Sequence, residues 1–591
     1  MENSWTPEQL NAIILRLIAL WPGAAALLRS RGVQERLRQV TRPSDNPETA
    51  QNATGTSSDE LATVADALPS APTFESLPSE ILMCFAEQLT PTNIQPYLDA
   101  TSMRAYKGAQ NDLRNLGLVS KRMHEAIRPY LYRGIIVDNS DVLVKLVRTL
   151  DTYGEGLAQY TKDLVLQVPY HATDEGFREL DTSPLLSCEE NELIGMSGYK
   201  SEACQYWYPL GRLHLYVLKW MMNLETMSLA MPATHGMVDT SIYLPFWEWF
   251  YAAARSPFRF LPKLTTVHLL GDRKTLNGQL ETDHCRGPLD IPSVRKLICY
   301  RDNGVWFDLT PASADRKLVT FSSRWQRNSS NFQFRNITTI ELHQSACTPL
   351  HIVDICNAFP CLQNLSVSTD AQAAKAQTAD HATISTGVCL SDGLAKLHDL
   401  ETLDLDLHYT CDFSNLLGPH GVLNLQPLSG LRSLRMPLHY LVEKQPGGVY
   451  VVSCPTAVLP PSLKSLALST DINCVDSWRA SGYGMGPLKL PGMNKADDKP
   501  MYQARVAALE FLEAVCARVP EYFLHLEQVT FCYGVEDPLP REITYPHYEA
   551  IRLLSPQANM ECFTVWYDII HEAFKQRGVR FKVVAERITH M

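Results

Sequence analysis

The spacing apolar-x-x-apolar-x-apolar returns nine times along the chain: from Leu224 (LETMSL), Leu264 (LTTVHL), Val294 (VRKLIC), Ile337 (ITTIEL), Leu362 (LQNLSV), Leu400 (LETLDL), Leu431 (LRSLRM), Leu463 (LKSLAL) and Leu526 (LEQVTF). Successive starts lie roughly 25 to 43 residues apart, apart from a wider gap before Leu526 that has room for a hidden unit. One such hexapeptide says little. A series constrains the fold, because a unit this short cannot bury its own apolar face and must stack on its neighbours. The last two apolar residues share one face of a strand, and the residue between them points to the other. Helix-like stretches precede several strands: FWEWFYAAAR, LHIVDICNAF and ARVAALEFLEAVCARV. Strand, helix, parallel strand builds an α/β solenoid.

The in-between residues predict a concave recognition row: Ser228, His268, Ile298, Glu341, Ser366, Asp404, Arg435, Ala467 and Thr530, continued past Asp404 by Asp406 and His408. Its charged, hydroxyl and small side chains suit a selective protein or peptide surface, and His268, Glu341, Asp404, Asp406 and Arg435 are its candidate target-binding residues. Near the end, Trp566, Ile569, Ile570, Ala573 and Phe574 follow helical periodicity; Gly578 then ends the helix and VRFKVV alternates like a strand, forming a capping unit. Residues 302–333, 371–389 and 477–503 break the regularity and are expected to leave the solenoid as loops.

At 591 residues the chain exceeds one ordinary domain, and 45% hydrophobic with 20% charged residues can build a large core. A formal charge of -11 disfavours a nucleic-acid partner. Fifteen cysteines without a regular framework or paired zinc knuckles read as reduced thiols, which points to the cytoplasm or nucleus. The apolar run Ile13 to Leu28 follows Glu2 and Glu8, precedes its arginines, and is interrupted by Arg16 and Pro22. It fits neither a signal peptide nor a membrane span, and is expected to be an amphipathic helix within residues 1–39. The sequons at Asn52, Asn328, Asn336 and Asn364 are expected to be chance matches.

Residues 40–72 are rich in Pro, Ser, Thr, Asn and Asp and too poor in apolar surface to offset ordering entropy, which predicts a disordered linker. From Leu77 the character changes. Pro78 suits a first helical turn, and Ile81, Leu82, Phe85 and Leu89 fall on one face. Pro91 and Pro96 end that helix; Asp112 is expected to cap a second, and Ser120 a third holding Met123, Ile127 and Leu131.

The segments LPSEILMCFAEQL and DLRNLGLVSKRMHEAIRPYLYRGI resemble the two halves of an F-box, particularly the kind found in filamentous fungi. That resemblance implies a domain over residues 74–135 that binds a Skp-type adaptor and so joins a cullin-RING ubiquitin ligase. By position, Leu77, Pro78, Ile81, Leu82 and Phe85 match the first-helix contacts, and Leu118, Val119, Ser120 and Met123 the later ones. Two features depart from the family pattern: an insertion at about 90–110, and Met123 where an aromatic is common. Residues 136–591 are similar to the divergent leucine-rich-repeat domains found behind F-boxes. The fold expected is α/β, an irregular leucine-rich-repeat solenoid preceded by a small all-α F-box-like module. The function implied is that of a non-catalytic substrate-recognition subunit of an SCF-type ligase. An interaction scaffold without ligase association is the alternative.

His343, Cys347, His351 and Cys356 mimic metal-ligand spacing on a helix, but His343 falls at a strand end and Pro349 interrupts the stretch, so no metal or cofactor is expected. The sequence holds no nucleophile elbow, phosphate-binding loop or metalloprotease motif in a convincing context.

Overall fold

Each hexapeptide of the series becomes a parallel strand. A computed structural model describes residues 79–90, 100–166, 213–214, 216–230, 261–270, 289, 291–300, 333–345, 347, 349–369, 389–407, 417–418, 421–444, 450–470, 499–535 and 560–587. The expected N-terminal helix and linker, Leu77, Pro78, the FWEWFYAAAR stretch and most of the three inserts lie outside the described residues. The chain divides into two units, Met1–Gly134 and Ile135–Met591.

The first unit packs three helices, α1 (Ser79–Leu89), α2 (Ala100–Gly117) and α3 (Lys121–Leu131). Leu82 and Ala86 of α1, Leu113 and Leu116 of α2, and Met123 and Ile127 of α3 form its core. Gly117 sets how closely α2 approaches α3, since a Cβ there would stand 2.8 Å from Ile127 Cδ1. Ser120 caps α3 as expected: its backbone is extended and its hydroxyl accepts the Met123 amide at 3.2 Å. Asp112 does not cap the second helix. It lies exposed inside α2, which begins at Ala100, so only residues 90–99 join the first two helices. The run ATSMRAYKGAQN contains no proline and several strong helix formers, which allows the earlier start. Tyr106 then gains a buried position, donating its hydroxyl to the Gly134 carbonyl at 2.7 Å, while Gln110 Nε2 donates to the same oxygen at 2.8 Å.

The second unit is mixed α/β. Its strands are β1 (Gly134–Val137), β2 (Asp163–Leu166), β3 (Thr226–Ala230), β4 (Thr266–Leu270), β5 (Lys296–Tyr300), β6 (Thr339–Ser345), β7 (Asn364–Thr369), β8 (Thr402–Asp406), β9 (Ser433–Pro437), β10 (Val442–Lys444), β11 (Tyr450–Val452), β12 (Ser465–Thr470), β13 (Gln528–Val535) and β14 (Arg580–Arg587). Twelve of them form one open sheet in chain order, and the pairings from β2 to β14 are parallel. β10 and β11 make a separate antiparallel pair. No strand comes between β12 and β13 in the sheet across the wide gap before Leu526, because the two bond directly to each other. Five strands lie outside the hexapeptide series: β10 and β11, the final β14 that VRFKVV predicts, the short β1, and β2, whose unit opens on the buried Thr161 instead of an aliphatic residue.

Three apolar positions per unit supply the core. Leu400, Leu403 and Leu405 are fully buried, as are Leu264, Val267 and Leu269. A fourth position precedes the hexapeptide by three residues. Met221, Leu261, Ile291, Phe359, Leu397, Leu428 and Phe523 are buried, and each carbonyl accepts the amide of the residue opening its hexapeptide. The residue after that opening links units: the Glu225 carbonyl accepts both the Thr265 and Thr266 amides, at 2.9 and 3.1 Å, and the Gln363 carbonyl accepts those of Glu401 and Thr402. Repetition of this bond pair starts the strands from β2 to β13 in one register, which shifts only later in β6, between Leu342 and Ser345, where it passes β7.

Helices α4 (Ser140–Tyr153), α5 (Glu155–Ala158), α6 (Pro349–Ala358), α7 (Leu390–Leu394), α8 (Pro455–Val458), α9 (Lys499–Arg518) and α10 (Met560–Gln576) occupy the intervals between strands. The expected helices at LHIVDICNAF and ARVAALEFLEAVCARV are α6 and α9. The third insert ends earlier than its composition implies, since residues 499–503 belong to α9. In α10, Ile570 and Phe574 are buried and Ile569 is exposed; Gly578 follows with φ +74°, a backbone angle that favours glycine. Among the described residues no helix is long and apolar enough to cross a membrane.

Candidate binding face

Parallel register turns the in-between residues into a physical row. Val165 pairs with Ser228, then His268, Ile298, Glu341, Ser366, Asp404, Arg435, Ala467, Thr530 and Lys582 follow, each opposite the next. The flanking apolar residues face the core, so this row lies on the opposite face of the sheet. Asp406 sits one row further along, opposite Ser368. His408 lies outside the described residues.

Accessibility changes along the row. Ser228, His268 and Ile298 are buried, at 2, 8 and 6% exposure, whereas Glu341, Ser366, Asp404, Arg435, Ala467 and Thr530 are partly exposed. The buried stretch mixes Val165 and Ile298 with Ser228 and His268, and the carboxylates, Arg435 and Lys582 of the row lie from β6 onward. The row as read from sequence thus joins an enclosed stretch to an accessible one. Burial also acts on charge. It lowers the His268 imidazole to about 4, with the neighbouring Lys296 ammonium acting in the same direction, so that ring is neutral at pH 7.

The charged centre of the accessible part lies on β5 and β6. Lys296 Nζ stands 2.6 Å from Glu341 Oε1, and His343 Nε2 stands 3.6 Å from Glu341 Oε2. The adjacent His343 Nε2 and the Lys296 ammonium outweigh the opposing effect of burial and hold the Glu341 carboxyl at about 2. His343 stacks on Tyr300, its register partner, with ring centroids 4.7 Å apart. Two strands on, Arg435 Nε lies 3.9 Å from Asp404 Oδ1. Among the charged candidates, then, Glu341 joins one cluster, Asp404 and Arg435 form another, and His268 is enclosed. Lys296, Tyr300 and His343 were missed because they lie two residues before or after the in-between residue of their strands, on the same face. The alternation of strand side chains was the signal that could have found them.

The remaining run of His and Cys residues is dispersed over elements. His343 lies inside β6, which runs two residues past it and so does not end there as expected; Cys347 is buried beyond the strand, and His351 and Cys356 lie in α6. Burial drives the Cys356 thiol up to about 12. Among the described residues no group of three or more His, Cys, Asp or Glu could hold a metal ion.

In the first unit, Leu82 and Met123 are fully buried and Val119 packs against their cluster. Ser120 is engaged as a helix cap, and Leu118, between α2 and α3, is 67% exposed. The side chains of Ile81 and Phe85 lie outside the described residues, although both backbones belong to α1. Leu118 is therefore the described candidate with most apolar surface available to a partner, while Leu82, Val119 and Met123 hold the helices that present it. Compared with known proteins, the chain matches no family model and no curated protein.

Proposed function

We propose that this chain is the substrate-recruiting subunit of an SCF-type cullin-RING ubiquitin ligase, with an F-box-like unit that binds a Skp-type adaptor and a leucine-rich-repeat-like body that binds a target protein. One observation carries the reading. The two segments that resemble an F-box form α1 and α2–α3, which share one core around Leu82 and Met123 and leave Leu118 exposed. A cluster this small has little apolar surface to bury within itself, and covering Leu118 against a partner is a favourable use of it.

The body supports the second half of the reading through its accessible polar row, a surface type that favours specificity over unselective adhesion. In this reading the chain contributes no catalytic group. It works in the cytoplasm or nucleus by proximity: holding target and adaptor on one chain raises the effective concentration of target lysines near the transferred ubiquitin.

Co-purification of the full chain with a Skp-type adaptor tests the ligase assignment. Wild type should retain the adaptor, and Leu77→Ala/Pro78→Ala or Leu118→Asp should lose at least tenfold of it while the melting profile of the sheet is kept. Wild type that retains no adaptor would leave the alternative reading, a repeat scaffold without ligase association.

A further inference from the structure

α2 begins at Ala100, inside the stretch of the chain that departs from the F-box pattern, so its first turns are an addition with a surface of their own. Tyr106 and Gln110 tie this addition to the Gly134 carbonyl, at 2.7 and 2.8 Å. On the side of the helix turned away from the buried Tyr106, Leu113 and Leu116 stand Arg104, Lys107, Asn111 and Arg114, all exposed. At 3.6 residues per turn these four fall in one stripe about 15 Å long. The Leu118 amide donates to the Arg114 carbonyl at 3.2 Å, so Leu118, 67% exposed, continues the same line one turn further.

The helix itself does not account for the sign of these charges. Arg104 and Lys107, three residues apart, repel each other, and Arg104 lies in the half of α2 nearer the positive end of its dipole, where a cation gains nothing. Asp112, the one carboxylate of α2, sits on its flank and off the stripe. The surrounding unit is basic as well. Residues 79–134 hold seven Lys and Arg against five Asp and Glu, in a chain with 53 against 64 overall. A basic surface on an otherwise acidic chain favours association with the acidic groups of another molecule. The net charge of -11 opposes a phosphate backbone, which leaves an acidic protein segment as the better match.

We infer that Arg104, Lys107 and Arg114 extend the adaptor-binding surface beyond Leu118 and dock an acidic stretch of the Skp-type adaptor. The inference rests on the F-box-like reading and names the chemistry that this chain's added turns bring to it. Leu118 supplies an apolar contact and the stripe a charged rim in line with it, an arrangement in which the rim steers encounter and sets the salt dependence of binding. Because Tyr106 and Gln110 hold the added turns to the end of the helical unit, the charges meet a partner from ordered backbone, which lowers the entropic cost of docking.

Affinity of the full chain for a purified Skp-type adaptor, measured at about 0.05 M and about 0.5 M salt, tests the stripe. Arg104→Glu/Lys107→Glu should weaken binding about five- to thirtyfold at the lower salt and less than about twofold at the higher, where exposed charges are screened. Arg104→Gln/Lys107→Gln, which removes the charges without reversing them, should fall between wild type and the reversed pair at the lower salt. Arg432→Glu/Lys464→Glu, an equal change of net charge on exposed residues of the body, should stay within about twofold of wild type. Hydrogen exchange across residues 104–117 checks that α2 persists, and if the reversed pair loses the helix the Gln pair decides. Wild type that binds no adaptor overturns the F-box-like reading and this inference with it. Adaptor bound equally by wild type and the reversed pair at the lower salt overturns the stripe alone. So does a loss that is the same at both salts, or one that Arg432→Glu/Lys464→Glu matches. Nucleic acid retained by wild type and released by the reversed pair, with adaptor affinity unchanged, would assign the stripe to phosphates instead.

Discussion

At the scale of single residues, three side chains show how position decides the role of a polar group. Asn336 resembles a glycosylation acceptor, yet its Nδ2 lies 3.1 Å from each of the Leu289, Ile291 and Val294 carbonyls, so the side chain is engaged with the backbone of the preceding unit. Glu341 is a charged anchor because Lys296 and His343 converge on it. His268, in the same register row two strands away, is instead a neutral ring within a buried stretch. Its imidazole is lowered from 6.5 to about 4, so between those values the folded chain holds fewer protons than the unfolded one. The stability contributed is therefore complete above about pH 6.5 and lost as pH falls toward 4. His268→Leu should flatten the decline of melting temperature over that interval. Parallel declines in the two proteins would remove His268 as a determinant of acid sensitivity.

At the scale of elements, the strands are fixed by alternation and the helices by their caps and contacts. The hexapeptides identify their strands because a half-buried strand reads as a period of two and the preceding turn requires an apolar anchor. The longer α2 was not legible, since what stabilises residues 100–111 includes a distant acceptor, the Gly134 carbonyl, that local pattern does not reveal. α3 is the opposite case, where Ser120 announces a start that the fold then uses. Removing that acceptor with Ser120→Ala should cost about 1 kcal/mol, and Ser120→Asp should restore most of it. The check is denaturant unfolding of the full chain, followed through hydrogen exchange of the α3 amides; an unchanged α3 would mean that tertiary packing alone defines the helix start.

For the whole molecule, two separately packed units predict separable failures. Leu403 is fully buried in the sheet core and Met123 in the helical core. Truncating either to Ala should cost about 2 to 5 kcal/mol locally. Leu403→Ala should lower the calorimetric transition of the body and leave adaptor retention intact, whereas Met123→Ala should do the reverse. Loss of adaptor retention in Leu403→Ala would show that the units are energetically coupled. The sequence by itself determined the stacked parallel strands and which residues alternate onto the open face, because both follow from a local period of two repeated in each unit. Only the tertiary structure decided which part of that row is enclosed, which charges meet, and where the register slips. Ser228 and Ser366 occupy the same place in the motif, yet one is buried and the other partly exposed. Lys296, Glu341 and His343 become a cluster only because β5 and β6 pair in that register. Burial and charge proximity depend on residues distant in the chain, and a motif repeated along it carries no information about those neighbours.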